Sequence, residues 1–89
     1  MTMTIYRKII REALDLARAG EEQRGVALLE SALHDPSLAA DPKWLSRLAR
    51  NAGILSEHEG DLDKAYKYYR QALRFQKNDP ATLYALGEV

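Results

Sequence analysis

Two histidines, a run of tyrosines and a set of arginines are the side chains of this sequence best equipped for chemistry. His34 and His58 can each ligate a metal or move a proton. A helix presents two imidazoles on one face only at a spacing of three or four residues, and these two lie far apart. Glu57 and Glu59 flank His58, but sequence neighbours on a helix do not face each other. Both histidines fall near the ends of expected helices, where a cation suits the dipole, so solvated side chains are the simpler reading. The chain has no cysteine, which excludes a thiolate nucleophile, a disulfide and a zinc–thiolate site. It contains no Gly-x-Ser-x-Gly, Walker or dinucleotide fingerprint. These residues point away from an enzyme and from a metal or cofactor.

The tyrosines Tyr66, Tyr68 and Tyr69 suggest a stacking platform for bases. Helical spacing instead places Tyr66 and Tyr69 on one buried stripe, with Tyr68 partly exposed. The 13 basic and 13 acidic residues cancel, and there is no basic run. A global electrostatic attraction to nucleic acid or to a membrane surface is therefore not expected.

The elements that must carry these residues are clearest between Gly60 and Phe75. Gly60 can end a helix, because a C-terminal cap often needs positive φ. Asp61 can cap the next one by accepting from its first-turn N–H groups. Leu62, Ala65, Tyr66, Tyr69, Ala72, Leu73 and Phe75 or Gln76 then follow at steps of three and four, predicting one buried stripe. The small residues Ala65 and Ala72 would let a neighbouring helix approach closely. A shift of 40 residues lays Gly20 on Gly60, Gly25 on Ala65, Leu29 on Tyr69, Ala32 on Ala72 and Leu33 on Leu73. Ala13 falls on Gly53 and Leu14 on Ile54. A forward shift of 34 residues lays Gly53 on Gly87. The chain is internally repetitive.

A 34-residue helix–turn–helix unit with these small and large positions resembles the tetratricopeptide repeat (TPR) family. Residues 46–79 resemble it best, with Asn51, Ala52, Gly53, Gly60, Ala65, Tyr69 and Ala72 at the signature places. Residues 6–39 resemble a diverged copy, and residues 80–89 the first half of a third. The sequence departs from the family in three respects. Lys77 stands where a proline is usual, Ala49 where a large aromatic is usual, and the first two units are six residues too far apart. The resemblance implies an all-α fold: a single TPR-like α-solenoid of five helices in antiparallel pairs, about two and a half repeats.

In that family the first helix of each unit lines a concave groove. The resemblance thus implies groove positions at Arg7, Ile10, Arg11, Leu14 and Arg18. In the second unit they are Arg47, Arg50, Asn51, Ile54, Glu57 and His58, and in the third Ala81, Tyr84, Ala85 and Glu88. Five arginines against two glutamates make the floor basic although the chain is neutral. Guanidinium groups suit bidentate recognition of carboxylate, and Asn51 can bond a peptide backbone. The implied role is a non-catalytic protein–protein interaction module, its partner a protein or acidic peptide, bound extended or as a helix. The carboxylate clamp by which some TPR domains hold chaperone tails is not supported. Only Asn51 matches it, and Ile10, Leu14, Ala81 and Ala85 stand at its other places.

The remaining chain fits this frame. A first helix is expected to Ala19, capped by Thr2 or Thr4, with Ile5 or Tyr6, Ile9, Ala13 and Leu16 or Ala17 inward. A second should reach His34, with Gly25 inside it. An interior glycine costs roughly 0.5–1 kcal/mol against alanine, which points to close backbone approach there. Asp35-Pro36 and Asp41-Pro42 bracket an irregular connection. Asp41 and Pro42 form a helix-start signal, repeated at Asp79-Pro80. Trp44 and Leu38 are expected to cover the junction between the first two units. The fifth helix offers Leu83, Leu86 and Val89 without its second helix. Since arrays of this kind end in polar caps, either the natural chain continues or this stripe forms a homodimer. A structural, self-associating module is thus the alternative function, and an accessory domain of a longer protein a third. No apolar run suits a signal peptide or a bilayer span, which makes a cytoplasmic location the default.

Overall fold

Gly20 and Gly60 set the frame of the fold. The computed structural model describes residues 2–87. Its described residues form five α-helices: α1 (Thr2–Arg18), α2 (Glu22–Leu33), α3 (Pro42–His58), α4 (Leu62–Phe75) and α5 (Pro80–Leu86), with a 3-10 turn at Pro36–Leu38. Gly20 and Gly60 take φ of 84° and 88°. Each turns its helix back by the same hydrogen bonds. Gly20 N–H donates to Ala17 and Glu21 N–H to Leu16; forty residues on, Gly60 donates to Glu57 and Asp61 to Ser56. This pairing closes a helix C-terminus only when a left-handed residue follows it. The sequence repeat is therefore a repeat of geometry at both turns.

Helix starts follow their local signals. Asp41 accepts from Lys43 N–H at 3.1 Å, and Asp61 from Lys64 N–H at 3.1 Å. Asp35 caps the 3-10 turn by accepting from the Ser37 amide and hydroxyl. The helix α1 starts at Thr2, so Thr4 lies inside it and not at its cap. Ile5 is 48% exposed while Tyr6 is fully buried, which settles that pair in favour of the tyrosine.

The helices α3 and α4 run antiparallel. Ser46 Oγ, near the start of α3, donates to the Ala72 carbonyl at 3.1 Å, while Tyr69 OH donates to Glu57 near its end at 2.8 Å. Gly53 lies under the Tyr69 ring. Gly25 of α2 sits against the Ala13 carbonyl of α1, where a Cβ would be 2.7 Å from the oxygen. Close backbone approach is the reason for that interior glycine. The helices α1 and α3 run parallel: Tyr6 stacks on Trp44, and further along Leu14 and Arg18 sit beside Ile54 and His58. Across the other layer Tyr68 OH of α4 donates to Glu30 of α2 at 2.7 Å. The slab measures 34 × 31 × 17 Å across its Cα atoms.

Tyr6, Leu29, Leu48 and Trp44 share the larger core cluster with Leu38, which packs back from the irregular connection. Tyr6 OH donates to the Leu38 carbonyl, anchoring that segment over the junction. A smaller cluster joins Ala65, Tyr69 and Leu86. The buried face of α4 is Ala65, Tyr68, Tyr69 and Ala72, rotated from the expected stripe. Leu62 is 59% exposed and Tyr66 50%, whereas Tyr68 is buried. The reason is that α4 meets more than one helix: α3 takes Tyr69 and Ala72, α2 takes Tyr68 through Glu30, and Leu86 of α5 packs on Ala65 and Tyr69.

Candidate functional site

Parallel packing of α1 and α3 brings their arginines together around one indole. The Arg47 guanidinium carbon lies 4.5 Å from the Trp44 ring centroid and that of Arg7 5.9 Å. Tyr6 stacks on the same residue, with centroids 5.5 Å apart and planes 1° from parallel. Trp44 and Arg47 stand one helical turn apart, a spacing at which side chains meet. The ring quadrupole attracts a guanidinium by about 0.5–1 kcal/mol at an exposed site. It orients the cation without cancelling its charge.

Three adjoining depressions cross this face. The first is bordered by Arg7, Ile10, Arg11, Leu14, Asp15, Arg18 and Trp44. The second shares Leu14 and Arg18 with it and reaches Ile54 and His58. The third shares Ile54 and His58, opens to about 690 Å³, and is walled by Glu57, Tyr69, Tyr84 and Ala85. Adjoining in this way, they line a trough from α1 across α3 to α5.

The arginines expected in the groove divide into two sets. Arg7, Arg11 and Arg47 have no carboxylate within ion-pair distance among the described residues. Arg18 pairs with Asp15 at 3.2 Å, but both are largely exposed, and such a pair is worth little. Arg50 is turned away to Asp79 of the α4–α5 connection, 2.8 Å from its carboxylate, with both side chains mostly buried. Burial alone would raise the Asp79 pKa. Hydrogen bonds from Thr82 and Arg50, with the Arg50 charge, outweigh it and hold this carboxyl below its ordinary value. Arg50 therefore fastens α5 to α3. The Asn51 amide donates to the Arg47 carbonyl of its own helix at 2.8 Å.

At the far end Tyr84 is 78% exposed beside the third depression. Glu57 accepts from Tyr69, whose pKa is raised by burial first and by that bond second. Of the residues expected to self-associate, Leu86 is buried on Ala65 and Tyr69, and Leu83 is partly buried. Val89 and the groove position Glu88 lie outside the described residues. Two features escaped sequence reasoning. The i, i+3 spacing of Trp44 and Arg47 was a usable signal for the indole's place at the groove edge. The Arg50–Asp79 pair spans two helices and leaves no local mark.

Among the described residues no group of three or more histidine, aspartate or glutamate side chains is placed to hold a metal ion. No helix among them is long and apolar enough to cross a membrane. No protein-family model, curated protein or solved structure matches this chain.

Proposed function

We propose that the chain is a TPR-like α-solenoid of two and a half repeats, and that α1, α3 and α5 offer their shared trough to an acidic peptide or partner helix. The solenoid reading is supported by the two turns with identical hydrogen bonding forty residues apart and by the parallel stacking of α1 on α3. The observation that carries the binding reading is the placing of Arg7 and Arg47 over Trp44 with Arg11 beside them, all three without a carboxylate partner among the described residues, in a chain of zero net charge. Guanidinium groups held by an aromatic face are pre-organised for carboxylate, so less rotamer freedom is lost on binding. The protein acts by binding, as a non-catalytic module in a cytoplasmic setting.

The test is titration of a fluorescein-labelled hexaglutamate peptide followed by anisotropy. Alanine at Arg7, Arg11 and Arg47 together should weaken binding at least tenfold, and raising salt should weaken it in the unsubstituted protein. Equal affinity of the triple variant, with unchanged circular dichroism, refutes the groove. A second reading, self-association through the α4–α5 end, is favoured by the exposed Leu62, Tyr66 and Tyr84. Light scattering across a concentration series decides it, and a monomer throughout eliminates it.

A further inference from the structure

The trough is not uniform along its length, and its chemistry changes from one end to the other. At the α1 end stand Arg7, Arg11 and Arg47, with Trp44 behind them. In the middle Arg18 is matched by Asp15. At the α5 end the cation that helical position would supply, Arg50, is held by Asp79. What remains there is aliphatic and aromatic: partly buried Ile54 and Ala85 and exposed Tyr84. The nearest carboxylate, Glu57, would repel an acidic ligand group at that end.

We infer that the trough reads a two-part peptide, with an acidic block over Arg7, Arg11 and Arg47 and an apolar side chain over Ile54, Ala85 and Tyr84. The inference rests on the groove reading above and adds the ligand's second half and its spacing. Charge complementarity fixes the acidic half at α1. Packed helices lie 8–10 Å apart, so two such steps from α1 to α5 span roughly 16–20 Å. An extended chain covers that distance in about five or six residues.

The experiment uses three labelled probes and anisotropy. One carries Glu-Asp-Glu-Gly-Leu-Phe, one replaces Leu-Phe by Ser-Ser, and one replaces the acidic block by serines. The first probe is also made in reversed order, since the chain direction of the ligand is part of the reading. In one of the two orders the two-part probe should bind at least tenfold tighter than either half. Arg11→Ala should weaken the two-part and acidic probes alike and leave the apolar probe unchanged. Tyr84→Ala should weaken the two-part and apolar probes and leave the acidic probe unchanged. Both side chains are exposed, and circular dichroism checks that each variant is folded. An acidic probe that binds as tightly as the two-part probe in both orders overturns the inference and leaves the basic groove standing. So does a Tyr84→Ala variant that binds every probe normally. Absence of saturable binding by any probe overturns both readings.

Discussion

Gly53→Ala adds one carbon at the contact between α3 and α4, and its consequence can be worked from the structure. The new Cβ would lie 2.5 Å from Tyr69 Cε1, 2.7 Å from Cδ1 and 3.1 Å from Cζ. Carbon atoms pack at about 3.5–4.0 Å, so ring or helix must move by roughly an ångström. The ring has little freedom, since its hydroxyl donates to Glu57 at 2.8 Å and it is 3% exposed beside Ala65 and Leu86. Overpacking of this kind costs typically 1–3 kcal/mol. Alanine's helix preference returns about 0.5–1 kcal/mol. At the middle of both ranges the net expectation is a loss of roughly 1 kcal/mol, or about 4–8 °C in Tm for a chain of this size.

The repeat supplies the control. Where the second hairpin has Gly53 and Tyr69, the first has Ala13 and Leu29, both fully buried. A smaller aliphatic side chain thus goes with the larger helix residue. Tyr69→Leu alone should destabilise, through a lost hydrogen bond and lost apolar area. Combined with Gly53→Ala it should cost less than the sum of the two by about 0.5–1 kcal/mol, the scale of coupling between residues in contact. Urea unfolding followed by far-ultraviolet circular dichroism, with Trp44 fluorescence as a second probe, measures the cycle. A neutral or stabilising Gly53→Ala, or effects that add within about 0.3 kcal/mol, refutes the assignment of this contact.

Two pH effects follow from the buried ionisable groups. Because Asp79 is held below its ordinary pKa, its charged form stabilises the fold above the unfolded value near about 4, and that contribution is lost as pH falls through the folded value. Asp79→Asn should therefore speed amide exchange in α5 at neutral pH, with the difference from the unsubstituted protein closing in acid; an equal gap at every pH would contradict the Arg50 tie. At the other extreme, Tyr6, Tyr68 and Tyr69 are all raised, chiefly by burial, with Asp41, Glu30 and Glu57 adding to it in turn. Their stabilising contribution is present below about pH 10 and lost above it, so tyrosinate absorbance from these three should appear only with unfolding; all five tyrosines ionising near pH 10 in a folded chain would contradict their burial.

Signals that act within one helical turn were legible in the sequence. Gly20, Gly60, Asp41-Pro42 and Asp61 work through backbone geometry and first-turn hydrogen bonds, so their types and positions suffice. Gly25 was legible for a related reason, since an interior glycine is disfavoured unless something needs the space. What failed was the choice among neighbours. The helix α4 carries a tyrosine at both edges of its stripe, and periodicity cannot say which edge meets a second helix; Glu30 of α2 decides for Tyr68. The stripe of α5 read as unpartnered, yet Leu86 finds Ala65 and Tyr69 on the helix before it. Among the groove residues, the resemblance grouped Arg50 with Arg47, while a pair formed across 29 residues separates them.

The same pairing explains how a neutral chain acquires a basic face. Part of the chain's acidic complement is engaged in building the fold. Asp35, Asp41 and Asp61 cap helices. Glu30 and Glu57 accept from buried tyrosines, and Asp79 holds Arg50 and Thr82. Most are fixed at a turn or in the α2–α4 layer by a structural partner, while Asp41 caps α3 one turn before the indole and Glu57 faces the α5 end of the trough. The side chains of Arg7 and Arg47 take no part in that scaffold beyond their contact with Trp44, and Arg11 borders the same depression. Screening at physiological ionic strength acts over about 8 Å, so a ligand at Trp44 experiences the groups bordering its own depression, where Arg7, Arg11 and Arg18 outnumber Asp15, far more than carboxylates at the α5 end. Net charge summed over the chain is therefore the wrong quantity for this surface, and the local excess left by the fold's own use of its acids is the right one.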